Sequence, residues 1–387
     1  MSERRLADDD FVRADARTRR RRRWRIALIV YVALLVASWV VRRRQPAPTP
    51  DAGVSRLALI PPGADSPSPG DPLVAPVTIA FDRHCPTEGA PRGATVVLLH
   101  GSPGGRFDFA GLTERLARDR CVIAPDLPGF GDSTRDVPDY SVQAHAAYLE
   151  AFLAALRERR VHVVGFSMGG GVAIALAARH PERVASLTLL SGLGVQEQEL
   201  FGRYWVNHVV HGAQLAGLWL LVEATPHFGR FDGLFLGLEY ARNFYDTDQR
   251  PLRPALLAYD GPALVYHGRR DFLVPVEAAV EHHRLLPQST LVLNDGDHFD
   301  TFMRPEIVAD ALVPFLAAVD KGERPTRALA DPVRRAAAMR PYGGPIGTRH
   351  MGPRFAIEVG AGVVAVGLIV VTAWWRRRRR RLRLRLQ

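Results

Sequence analysis

The chain is poor in cysteine, nearly devoid of lysine, and lacks net positive charge over most of its length. Its two cysteines, Cys85 and Cys121, show no Cys-x-x-Cys and no Cys/His spacing of the kind that holds zinc. Lys321 is the only lysine, so arginine carries the formal charge of +11. That bias reads as codon composition more than chemistry. The arginines are also gathered at the ends. Residues 1–25 carry ten against five acids, Arg42 to Arg44 add three, and residues 376–387 carry eight. These clusters outweigh the total of +11, which leaves the remainder mildly acidic. A nucleic-acid-binding face is therefore not expected.

Of the 387 residues 47% are apolar, enough for one large α/β core or two small domains with appendages. Two apolar runs lie beside the arginine clusters. The first, residues 26–41, has no charge inside it and is edged by Trp24 and Trp39. At 1.5 Å per residue it spans about 24 Å, slightly short of a bilayer core, and the tryptophans and snorkelling arginines supply the rest. A cleaved signal peptide is the competing reading, but the run ends in Val-Val-Arg-Arg-Arg without a small-x-small site. The second run, residues 357–375, meets six arginines from Arg376 to Arg381. Its Gly360, Gly362 and Gly367 follow no strand and precede no suitably spaced acid, so they do not form a dinucleotide site. A C-terminal sorting signal removed after export is the other reading of this run. Arginine excess favours a basic cytoplasmic N-terminus at 1–25, a cytoplasmic tail at 376–387 and an extracytoplasmic body, in a bacterium beyond the inner membrane.

Residues 42–75 and 321–356 are rich in proline, glycine and small polar residues and read as linkers. Between them, short β-rich runs alternate with helical periodicity. Strands are expected at Val77–Phe81, Thr95–His100, Cys121–Ala124, Val161–Val164, Ser186–Leu190, Ala263–His267 and Thr290–Leu293. Helices are expected at Leu112–Arg118, Tyr140–Arg157 and after Gly169. The pattern predicts an α/β fold with a mostly parallel sheet flanked by helices, its core formed by residues 76–194 and 259–320. The aromatic, largely helical stretch 195–258 interrupts the alternation and reads as an inserted cap.

The polar motifs fall at carboxyl ends of strands, where such sheets bind ligands. Gly165-Phe-Ser167-Met-Gly169 sits between a strand and a helix, the setting that exposes a serine nucleophile at a helix N-terminus. His100-Gly-Ser-Pro-Gly-Gly105 is a glycine-rich turn able to aim an amide at an oxyanion; Pro103 has no N–H, so Ser102 is the expected donor, joined by Met168. A serine needs a base and the base an orienting acid. His298 lies in a glycine-containing loop after the last strand, and Asp271 follows the strand before it; Asp295, Asp297 and Asp300 are rival acids.

Together with Asp126-Leu-Pro-Gly-Phe-Gly-Asp-Ser133, these motifs resemble the α/β-hydrolase superfamily, in its serine-hydrolase branch with a helical cap, over roughly residues 76–318. The resemblance implies an eight-stranded sheet, catalytic Ser167, His298 and Asp271, an oxyanion hole at Ser102 and Met168, and no metal or organic cofactor. A serine in place of aspartate argues against dehalogenases and epoxide hydrolases. The expected activity is hydrolysis of a carboxylic ester, with a small-molecule or lipid-like apolar substrate suggested by the aromatic cap and the anchor. A haloperoxidase-like or C–C bond hydrolase with the same triad, or a slow-turnover ligand sensor, are the alternatives. In this fold the second strand runs antiparallel beside the fourth, so Cys85 approaches Cys121. In an oxidising compartment the two could join, the alternative being two isolated buried thiols.

Overall fold

The computed structural model describes residues 2–44, 55–59, 77–229 and 238–324. The second apolar run, the arginine tail and all but the first residues of the linker at 321–356 lie outside the described residues, as do Phe231 and Phe235 of the cap.

Helix α1, Ser2–Arg44, is continuous from the basic N-terminal segment through the first apolar run. Within it, Thr18–Arg44 is long and apolar enough to cross a membrane. The chain then forms β1 (Ser55–Leu59) and β2 (Val77–His84), followed by β3 (Thr95–Leu99), α2 (Ala110–Leu116) and β4 (Val122–Pro125). Next come α3 (Val142–Ala155), β5 (Val161–Phe166), α4 (Met168–Arg179) and β6 (Val184–Leu190). Three helices follow, α5 (Tyr204–Glu223), α6 (Leu238–Asp246) and α7 (Leu252–Ala258). The chain returns to the sheet with β7 (Ala263–Gly268), α8 (Val276–Leu285) and β8 (Ser289–Asn294), and the described body ends with α9 (Asp300–Met303) and α10 (Pro305–Asp320).

The eight strands form one sheet in the order β1-β2-β4-β3-β5-β6-β7-β8. β2 runs antiparallel to both β1 and β4, and the remaining pairs are parallel. Helices cover both faces. Alternate strand residues split between them: Val97, Leu99 and Val163 pack with α3, α4, α7 and α8, while Val96, Leu98 and Val164 pack with α2 and α10. This two-sided burial is why β3 is apolar from Val96 to Leu99 and why the one polar side chain of β5, buried His162, is bonded to Ser186 and Asp320.

Two departures from the sequence reading stand out. Ser55–Leu59 falls in the stretch read as linker, yet pairs along β2 as an edge strand. Leu252, Leu256 and Leu257, read as part of the cap, belong to the sheet-facing core beside α4. The inserted helices proper are α5 and α6, which pack on each other. They are tied to the core where Asn243 Nδ2 donates to the Tyr140 carbonyl at 2.7 Å and Asp246 accepts from the Tyr140 amide at 3.0 Å.

Cys85 and Cys121 are joined as a disulfide across β2 and β4, at a sequence separation of 36. Closing a loop of that length in the unfolded chain is worth about 4 kcal/mol in the chain-entropy model. Cys85→Ser is therefore expected to lower the urea midpoint by a corresponding amount under oxidising conditions. An unchanged midpoint would mean that the thiols are unpaired in solution.

Candidate active site

The site is built at the carboxyl ends of β3, β5, β7 and β8. Ser167 occupies the turn between β5 and α4 with φ 51° and ψ −116°, a conformation that side-chain-bearing residues rarely adopt. The turn is pinned by hydrogen bonds: the Ser167 amide donates to the Leu190 carbonyl at 3.0 Å, and its own carbonyl accepts from Gly170 and Leu193, each at 2.9 Å. It is also too tight for side chains at its flanks. A Cβ on Gly165 would lie 2.2 Å from the Gly169 carbonyl oxygen, and one on Gly169 would lie 2.2 Å from that of Leu99. Glycine at both positions lets strand, turn and helix close together.

The Met168 amide opens α4, and an amide in the first turn has no carbonyl partner within its helix. The loop after β3 comes close: a Cβ on Gly101 would sit 3.2 Å from the Ser167 Cβ. Ser102 follows, its hydroxyl buried and without a hydrogen-bond partner among the described residues. His100 fixes this loop. Its Nε2 accepts from the Leu127 amide at 2.9 Å, and its Nδ1 therefore donates to the Gly101 carbonyl at 2.7 Å. Complete burial pushes its pKa down and keeps the ring neutral, as this pattern requires. The Asp126 loop has its own clasp: buried Arg106 pairs with Asp126 and reaches Asp132 at 2.8 Å.

His298 Nδ1 donates to Asp271 Oδ2 at 2.7 Å, and both residues are buried. The assignment leaves the His298 Nε2 lone pair free to accept a proton. Asp271 Oδ1 accepts the amides of Leu273 and Val274 at 2.9 and 2.8 Å. Burial pushes the Asp271 carboxyl up, but hydrogen bonds from His267 and His298 outweigh it and hold the group well below the usual carboxylate range. The His298 ring packs against Phe166 with centroids 4.8 Å apart, which places it beside the residue preceding Ser167.

The rival acids are engaged elsewhere. Asp300 binds Arg304 and Asn294, Asp297 accepts the Phe299 amide, and Asp295 is exposed near Arg269. His267 was not singled out in the sequence. Its Nε2 lies 3.3 Å from Asp271 Oδ2, the oxygen that also faces His298, and 2.9 Å from the Val274 carbonyl. Its signal is the four-residue spacing from β7's end to Asp271, ambiguous because strand histidines are common structural residues. Among the described residues no set of three or more His, Cys, Asp or Glu side chains is arranged to hold a metal ion. A cavity of about 400 Å³ between β7, β8 and α10 is lined by none of these site residues.

Behind the site, His145 and His282 are fully buried. Desolvation lowers their pKa values to about 4 and about 3, against 6.5 for a solvated histidine. Between these values the unfolded chain binds more protons than the folded one. Stability is thus at its full value above about pH 6.5 and falls as the pH drops toward 4. For His282, whose ring nitrogens both lack hydrogen-bond partners among the described residues, the loss at pH 5 is about 2 kcal/mol. His282→Leu is expected to flatten the dependence of the melting midpoint on pH between 7 and 5. A slope identical to wild type would show that His282 does not titrate on unfolding.

A family model described as alpha/beta hydrolase fold matches residues 94–216. A 2-hydroxymuconate semialdehyde hydrolase of Pseudomonas putida is 30% identical over 262 residues, spanning 59% of this chain and 89% of that protein. An uncharacterized Mycobacterium tuberculosis protein is 28% identical over 290 residues, or 66% of this chain and 85% of its own. Among solved structures, a thermophilic esterase from Thermogutta terrifontis shares the fold with a TM-score of 0.51 and 24% identity, over 69% of this chain and 99% of that one. The chain belongs to the α/β-hydrolase family and is a hydrolase.

Proposed function

We propose that the protein is a serine hydrolase that cleaves a carboxylic ester, or a related acyl bond, of an apolar substrate through an acyl-enzyme. The observation that carries this reading is the buried His298–Asp271 pair at 2.7 Å, on the strand ends next to the elbow that presents Ser167. His298 Nε2 takes the hydroxyl proton as Ser167 Oγ attacks the carbonyl carbon. Negative charge then develops on the carbonyl oxygen, where the amides of Met168 and Ser102 stabilise it. Asp271 holds the imidazole in the accepting tautomer and offsets the charge it gains. The protonated His298 gives its proton to the leaving alcohol. Water repeats the attack with the same base, releasing the acid and regenerating Ser167.

Supporting the apolar substrate are the aromatic side chains of the cap and of the site's outer wall, where Phe272 meets Phe299 with ring centroids 5.9 Å apart. Supporting a membrane-anchored body outside the cytoplasm are the apolar span of α1, the arginines before it, and the disulfide, which persists in oxidising compartments. The test is labelling of the full-length protein with a fluorophosphonate probe, together with a panel of p-nitrophenyl esters. Stoichiometric labelling at Ser167 with ester turnover is expected. Folded protein that neither labels nor turns over would remove the reading.

One observation favours a second reading. The similarity to a 2-hydroxymuconate semialdehyde hydrolase makes C–C bond hydrolysis the competing activity of the same residues. Turnover of a ring-cleavage dienoate well above that of any ester would decide for it.

A further inference from the structure

The outer surface of the cap helix α5 inverts the pattern of a water-facing helix. Trp205, Val209, Ala213, Ala216 and Leu220 recur at helical spacing along its exposed side, whereas Asn207 and His211 are buried. No Asp, Glu, Lys or Arg occurs from Tyr204 to Val222, and Trp219, Leu220 and Leu221 are each more than half exposed. A continuous apolar stripe of this length on a soluble surface needs a cover.

The position of α1 says what the cover is. Tyr31, Leu35, Ser38 and Arg42 fall at i, i+4, i+7 and i+11, on one face of α1. Three of them hold the end of α5 and the loop after it. The Tyr31 hydroxyl donates to the Ala224 carbonyl. Ser38 Oγ, nearly inaccessible at 1%, accepts the amides of His227 and Phe228 at 3.0 and 2.8 Å. Both terminal nitrogens of Arg42 reach Glu223 Oε1 at 3.2 Å. These contacts extend along about 16 Å of the α1 axis, from the arginines that end the apolar run to its interior. Whatever surrounds α1 at those levels also surrounds the end of α5.

We infer that the exposed face of α5 is a membrane-docking surface, set in the outer leaflet of the bilayer that α1 crosses. The inference rests on the reading of α1 as an anchor. The cap is then in direct contact with lipid, and an ester dissolved in the bilayer reaches the cap without passing through water. The Arg42–Glu223 pair lies where the polar headgroups begin, a level that suits an ion pair. α5 does not itself qualify as a span, so it lies along the interface with Asn207 and His211 turned into the protein.

Two full-length variants test this, one retaining only Trp219 and the other only Trp39, with the remaining tryptophans replaced by phenylalanine. Each is reconstituted into phosphatidylcholine vesicles with normal or acyl-chain-brominated lipid. Both tryptophans are expected to lose most of their emission to the bromines. Quenching of Trp39 without Trp219 would overturn the docking surface and leave the anchor standing, including the case in which a second copy of the chain covers α5. Absence of quenching at Trp39 would overturn the anchor and the docking surface together. A nitroxide on Leu220→Cys, in a chain that keeps all its tryptophans, provides an independent reading. Greater accessibility to oxygen than to a water-soluble nickel chelate is expected, and the reverse would overturn the proposal.

Discussion

Ser167→Ala is expected to abolish fluorophosphonate labelling and to lower kcat/KM for an activated ester by about 10⁴-fold or more, because a residue acting as one member of a triad carries most of the unit's effect. The variant should fold normally, since the Ser167 backbone bonds to Leu190, Gly170 and Leu193 do not involve the hydroxyl. Ser167→Gly makes a sharper comparison. It removes the same hydroxyl, and it also relieves the backbone, which holds a side-chain-bearing residue at φ 51°. Such strain costs on the order of 1 kcal/mol. The glycine variant should therefore be equally inactive yet melt higher than the alanine variant. Ester turnover retained within ten-fold of wild type would remove Ser167 from the chemistry, whatever its conformation.

The second large effect is expected at Asp271, where asparagine should lower kcat by about 10⁴-fold, with a much smaller change in KM. The hydrogen bonds explain why an isosteric change is so damaging. Oδ1 accepts the amides of Leu273 and Val274, so the asparagine oxygen is held on that side. Its NH₂ group must then point at His298 Nδ1 and at His267. Facing a donor, His298 turns to the tautomer with its proton on Nε2, and the lone pair that should receive the serine proton is gone. Steady-state kinetics at neutral pH read this directly. A loss below ten-fold would show that another group orients the imidazole, His267 and the rival aspartates being the first to examine.

Much of this architecture was legible because the chemistry needs particular residue types at strand ends. Gly165 and Gly169 flank Ser167 since nothing larger fits beneath it, and that requirement writes itself into the sequence as a motif. The buried strands were legible for a similar reason: β3 is apolar on both faces, and β5 is so except at His162. β1 was hidden. Ser-Arg-Leu-Ala-Leu at the sheet's edge has one neighbour and partial exposure, so its residues need not be β-branched, and the surrounding prolines suggest a linker. α7 was hidden for the opposite reason, its leucines being equally suited to a cap or a core. The contact of His267 with Asp271 depends on how the turn after β7 closes, and the docking of α1 on the cap depends on two segments nearly two hundred residues apart. The first leaves only an ambiguous four-residue spacing, and the second leaves no local pattern.

The disulfide also bears on how the protein carries mechanical load. A pull on the N-terminal helix reaches the sheet first at β1, then at β2, the one strand that runs antiparallel to both of its neighbours. Such edge pairs unzip one rung at a time. The bond between Cys85 and Cys121 lies just beyond the end of β2 and just before β4, so peeling stops there and the force passes through a covalent link into the parallel strands. Force applied at that end can thus strip the margin of the sheet while the strand ends that hold Ser167, Asp271 and His298 stay in register.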